Sequence, residues 1–181
     1  MSSITTSRKP VAIVAILSMV AGLVLIIAGG VVWGMITSQL KDEEITVSAV
    51  TDEEPGALAG KDVAGPFTAF AQANAINHHA LAGSDGKTYA EIGAEVAGLK
   101  AADAEGNADQ IAALGEQRTT VMNASFLRAS LFTSVVAYGV SALVMGLGVM
   151  FILLGWSQWL LAAARTEQVA ATTHESAPAA V

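Results

Sequence analysis

The chain has 181 residues, 53% of them hydrophobic and only 14% charged, with a formal net charge of −7 at pH 7 and no cysteine. Soluble domains carry about 25% charged residues, so this apolar excess points to a membrane protein. The acidic balance excludes nucleic acid, which needs a basic surface, and without cysteine there is no disulfide and no lipoprotein anchor, while the redox compartment stays open.

Residues 1–10 read as a short tail carrying Arg8 and Lys9. The block from Val11 to Leu40 contains no Asp, Glu, Lys or Arg, and it exceeds the ~20 residues that cross a hydrocarbon layer. A first transmembrane helix is expected over 11–36. Pro10 suits its first turn, and Trp33 falls near the far headgroup layer, where Trp is enriched. A cleaved signal peptide has an apolar stretch of about 7–15 residues, so this longer block reads as a retained signal anchor. Gly30 and Gly34 match GxxxG, which signals close helix packing within the chain or against a partner. Small residues are also common in membrane helices for no such reason.

Residues 41–125 hold five basic and fourteen acidic residues and read as an acidic helical cap. "KDEEITVSAV" alternates Ile45 and Val47 with polar residues, a short strand pattern that is unstable alone. Residues 42–65 otherwise read as an acidic linker rich in Gly and Pro. In "GPFTAFAQANAINHHALAG", Gly65-Pro66 is a helix entry and Gly83 an exit. Phe67, Phe70, Asn74, His78 and Leu81 share one face at three- and four-residue steps, and Phe67 and Phe70 are candidates for helix packing or partner contact. "SDGKTYAEIGAEVAGLKAAD" gives a turn at Asp85-Gly86, then a capping box from Thr88 to Glu91, with a stripe of Tyr89, Ile92, Val96 and Leu99. Asn107 caps a third helix that continues into the second span.

His78-His79 is the weak candidate for metal chemistry. Neighbours on a helix diverge by about 100°, and zinc helices prefer i, i+4 spacing. His78, on the face of Phe67 and Phe70, reads as a packed residue with one hydrogen bond, and His79 lies off that face. No catalytic residue, cofactor or metal is expected.

The second uncharged block, Ala129 to Ala164, predicts a transmembrane helix over 130–159. Arg128 snorkels at its entry, and Trp156 and Trp159 form an interfacial belt at its exit. Ala142, Gly146 and Gly148 are its small packing candidates. Residues 165–181 read as a disordered tail. Arg8 and Lys9 ahead of the first span place both termini in the cytoplasm and the acidic loop outside, in the plasma (inner) membrane. The expected fold is all-α: two transmembrane helices joined by a small helical extracytoplasmic domain.

Three stretches, "GPFTAFAQANAINHHAL", "GKTYAE" and "RTTVMNASFLRASLFTSVVAYGVSALVMGLGV", resemble a family of small two-pass membrane proteins from actinobacteria. Its members often carry the label "aromatic ring-opening dioxygenase, LigA". The resemblance covers both spans and much of the loop, and it implies membrane placement. A non-haem iron dioxygenase needs two His and a carboxylate in a facial arrangement; adjacent His78 and His79 do not supply one, so no catalytic residue carries over. The expected function is that of a non-enzymatic accessory or structural subunit of a larger membrane assembly. By analogy of size and topology, the most concrete candidate is an actinobacterial respiratory cytochrome bcc–oxidase supercomplex. The partners expected are the bilayer and other integral membrane proteins, with no small-molecule substrate. The alternatives are a metal-binding or enzymatic cap built on His78 and His79, and a sensor or transporter component. Ionisable residues in mid-membrane would favour transport, and both spans lack them.

Overall fold

The computed structural model describes residues 8–175, with side chains over 10–163. Among these residues there are four α-helices: α1 (Arg8–Asp42), α2 (Pro66–Ala82), α3 (Tyr89–Asp103) and α4 (Ala108–Glu175). Pro10–Asp42 and Ala108–Ala163 are long and apolar enough, by length and composition, to cross a membrane. The all-helical class and both long apolar helices agree with the sequence reading.

The helix ends run further than expected. α1 extends beyond 11–36 at both ends, and α4 continues to Glu175 where an irregular tail was expected from 165. Residues 162–175 include five Ala and two Glu, both strong helix formers, and contain no Gly or Pro. Residues 1–7 and 176–181 of the two expected tails lie outside the described residues. So do the side chains of Arg8 and Lys9, on which the expected orientation rests.

The described residues pack as two units, 8–33 with 140–175, and 34–139. In the first, α1 and α4 run antiparallel along a seam of small residues. A Cβ on Gly148 would lie 2.6 Å from the Gly22 oxygen, and one on Gly22 would overlap the Gly148 oxygen. A Cβ on Gly155 would lie 2.6 Å from the Ala15 oxygen, and one on Gly29 would lie 2.9 Å from the Ser141 oxygen. The seam therefore pairs Ala15 with Gly155, Gly22 with Gly148 and Gly29 with Ser141, all six buried. Each set recurs every seven residues, the spacing that winds helices left-handed around each other. Leu17, Val24, Ile27, Leu143 and Leu153 point outward, each more than half exposed.

This seam differs from the motif read in the sequence. Of the five small residues singled out there, Gly148 alone sits in it. A Cβ on Gly30, Gly34 or Gly146 would meet nothing within 4 Å, and Ala142 is exposed. Four-residue spacing drifts off a seam whose period is seven.

In the second unit, Ile45–Val47 finds its partner inside the expected linker. Val47 N–H donates to the Lys61 carbonyl and Val63 N–H to the Ile45 carbonyl, both at 2.8 Å, around an isolated antiparallel bridge between Thr46 and Asp62. Val47 and Val63 are buried, so this stretch is pinned rather than a free linker. Gln72 of α2 fastens it further: its Oε1 accepts from Ser48 N–H at 2.7 Å and its Nε2 donates to Ser48 Oγ at 3.3 Å. In the same unit, Thr37 and Tyr138 share a hydroxyl hydrogen bond of 2.8 Å, and Tyr138 is buried.

α2 buries a different face from the one expected. Ala69, Gln72, Ala73 and Ala75 are inside, whereas Phe67 is 80% exposed and Phe70 49% exposed. Alanine lets the backbone of α2 approach its neighbours closely, and the bulkier Phe edge is left outside. The turn at Asp85-Gly86 forms as expected, with both residues left-handed (φ 51° and 78°), a conformation that Asp and Gly tolerate. Buried Ser84 fixes it by donating to the Lys87 carbonyl at 2.6 Å. Thr88 and Glu91 then form the expected capping box of α3, which buries Ile92 completely.

Candidate functional site

A cavity of about 320 Å³ lies within the second unit, between the end of α2, the start of α3 and α4. Its walls include Asn77 and Leu81 from α2, Thr88 and Tyr89 at the head of α3, and Val121, Ser125 and Arg128 from α4. Steps of four and three residues along α4 bring Val121, Ser125 and Arg128 to one side. The Ser125 hydroxyl donates to the Val121 carbonyl at 2.9 Å, which leaves its oxygen free to accept.

Two arginines define the electrostatics here. Arg118 lies over the Tyr89 ring, its guanidinium carbon 4.0 Å from the centroid. Gly93, one turn further along α3, makes room for it: a Cβ there would lie 3.1 Å from Arg118 Nη2. Arg128, a cavity wall, sits 5.5 Å from the Phe132 centroid, and Phe132 meets Phe70 edge-on at 5.8 Å. The Nε of each arginine is buried without a hydrogen-bond partner. Cation–π contact offsets part of that desolvation, but it leaves directed N–H donors unused.

The carboxylates nearby are engaged elsewhere. Glu91 accepts from the Thr88 backbone N–H at 2.8 Å and from its hydroxyl at 2.7 Å; the backbone bond first, then the hydroxyl, hold its carboxyl below the usual value. Glu95 pairs with Lys87 at 2.5 Å, and that hydrogen bond raises the lysine. Both groups lie at the surface, where solvent screens the pair.

A second cavity, of about 390 Å³, is apolar. Val47, Val50, Pro55 and Leu58 line one part of it, and Phe67, Phe70 and Asn74 another. A third, of about 360 Å³, includes His78 with Asn74 and Asn77. The two histidines differ from expectation. Both are exposed, and it is His79, not His78, that makes the hydrogen bond, donating from Nε2 to the Val50 carbonyl at 3.2 Å. Their ring centroids are 6.0 Å apart at an interplanar angle of 69°. Among the described residues no three His, Asp or Glu side chains converge on a point that could hold a metal ion.

Trp156 and Trp159 are 56% and 50% exposed on α4, while Trp33 on α1 and Arg128 are half-buried. The Arg118–Tyr89–Gly93 stack was missed in the sequence; the arginine is a separate helix away, and no local spacing announces it. No protein-family model, curated protein or solved structure matches this chain.

Proposed function

We propose that this chain is a non-enzymatic, two-pass integral membrane protein that serves as an accessory or structural subunit of a larger membrane assembly. Its termini face the cytoplasm and residues 41–125 lie outside, in the plasma (inner) membrane. The observation that carries the reading is the exposed Phe67–Phe70 edge of α2 above the apolar 390 Å³ cavity. Aromatic side chains beside an apolar pocket are the anchors that protein interfaces favour. A water-facing cap gains nothing from leaving a phenylalanine 80% exposed, since burying it contributes roughly 1.5–3 kcal/mol. The most concrete assembly is an actinobacterial respiratory cytochrome bcc–oxidase supercomplex, by analogy of size and topology.

The test is native electrophoresis of membranes solubilised in a mild detergent. The wild-type chain is expected to migrate with a haem-containing assembly, and Phe67→Ser with Phe70→Ser to migrate alone while keeping its helical signal. A wild-type chain that migrates alone would overturn the subunit reading. Stoichiometric iron or zinc in the purified chain, lost on His78→Ala with His79→Ala, would replace it with the enzyme or metal-binding alternative.

A further inference from the structure

The 320 Å³ cavity carries a charge balance that the subunit reading does not use. None of its ten lining residues is Asp or Glu, and Arg128 is the one cation among them. Arg128 Nε is buried with no hydrogen-bond partner. Asn77 adds an amide donor to the wall, and the Ser125 hydroxyl has already given its proton to Val121. Glu91, bonded to Thr88 at the rim, has its oxygens occupied by the cap of α3. The rest of the wall includes Leu81, Val121 and the Tyr89 ring.

A cavity of about this size suits a compact ligand group, since small-molecule sites begin near 300 Å³. A guanidinium suits a phosphate, which it can bind through two parallel N–H bonds. Arg128 is also the last charged residue before 36 uncharged ones, Ala129 to Ala164. On the membrane reading above, on which this inference rests, that position is the hydrocarbon boundary, where headgroup phosphates lie. We propose that the cavity binds the phosphate of one anionic phospholipid headgroup, with Arg128 as the phosphate ligand, Asn77 as a second donor and Leu81 and Val121 against the apolar part of the lipid.

The alternative is an arginine that merely snorkels to any passing headgroup. The full-length protein in mixed-lipid nanodiscs separates the two, with lipid retention read by native mass spectrometry. The wild type is expected to retain one phosphatidylglycerol per chain, at least tenfold over phosphatidylcholine. Arg128→Ala is expected to abolish that selectivity and Arg128→Lys to keep part of it. Ala124→Leu, which fills the cavity from α4 and leaves Arg128 in place, is expected to lose the retained lipid as well. Inorganic phosphate is expected to compete at least tenfold more weakly than the lipid.

Equal retention of both lipids by the wild type overturns the proposal without reference to any variant. Undiminished selectivity in Ala124→Leu assigns the effect to surface snorkelling and overturns the cavity. Inorganic phosphate binding as tightly as lipid overturns the lipid source. Migration with a larger assembly is read separately, so either proposal can fail while the other stands.

Discussion

The two packed units solve the same problem with opposite materials. Along Ala15–Gly22–Gly29 and Ser141–Gly148–Gly155, side chains are nearly absent and backbone meets backbone. In residues 34–139 the interior is made of alanines, a few aliphatic residues and hydrogen-bonded polar groups, Gln72 and Ser84 among them. The first arrangement suits lipid, where there is no hydrophobic force between helices and close van der Waals approach holds them. The second suits water around α2 and α3, yet there it leaves Phe67 and Phe70 outside while Tyr138 is buried. A unit that buries Ala69 and Ala73 while exposing Phe67 and Phe70 has kept its best apolar contacts for something else.

Substitutions at buried and exposed positions of each unit sharpen this contrast. The largest effect is expected in the second unit at Ile92, which is completely buried. Ile92→Ala should cost about 2–5 kcal/mol by the lost transfer energy and the cavity left behind. Phe67→Ala should change the stability of the isolated chain by less than about 0.5 kcal/mol. Thermal unfolding of the two variants in one detergent checks the ratio, and equal losses would mean that Phe67 is packed.

In the first unit, Gly22→Val should cost about 1–3 kcal/mol, because the new side chain meets the Gly148 carbonyl and Ile152. Gly30→Val, where a Cβ meets nothing, should leave α1–α4 pairing intact. Thermal unfolding of the two variants in one detergent reads the difference. Equal losses in both would contradict the register.

The sequence carried some of these features openly. Long uncharged runs mark both apolar helices, and Asp85-Gly86 and Thr88–Glu91 form the turn and cap that their residue types encode, because each is decided within four residues. The seam was legible too, but only at a period of seven; four-residue spacing points instead to Gly30 and Gly34. The buried face of α2 was hidden because hydrophobicity favours Phe over Ala, whereas close backbone approach selects Ala. The pairing of Ile45–Val47 with Lys61–Val63 depends on chain reversal through a loop that composition alone reads as a linker. The candidate site was less legible still. Arg128 was visible as a boundary residue, but the cavity beside it depends on how α2, α3 and α4 meet.

Smaller effects are expected at the head of α3. Thr88→Ala removes the cap and should cost about 1 kcal/mol. Glu91 is held below the ordinary carboxylate value by the Thr88 backbone and hydroxyl bonds. Its contribution is therefore present above an unfolded pKa of about 4.3 and is lost as pH falls through the lowered folded value. Lys87 is raised by its hydrogen bond to Glu95, so its contribution is complete below about pH 10.4 and lost as pH rises through the raised value. Unfolding of wild type and Glu91→Gln across the acid range checks the first sign: the stability gap between them should close as pH falls. A gap that widens in acid would contradict it.

The central claim, that the chain crosses the bilayer twice with residues 41–125 outside, is tested most directly by single cysteines in an otherwise cysteine-free chain. Ala101 is exposed on α3 and Leu147 is exposed on α4 within its apolar run. The account predicts that a membrane-impermeant maleimide labels Ala101→Cys on intact cells. It also predicts that Leu147→Cys stays unlabelled in intact and broken cells alike and reacts only after the membrane is dissolved. Labelling of Ala101→Cys only after lysis would contradict the orientation, and labelling of Leu147→Cys in intact membranes would contradict the second span.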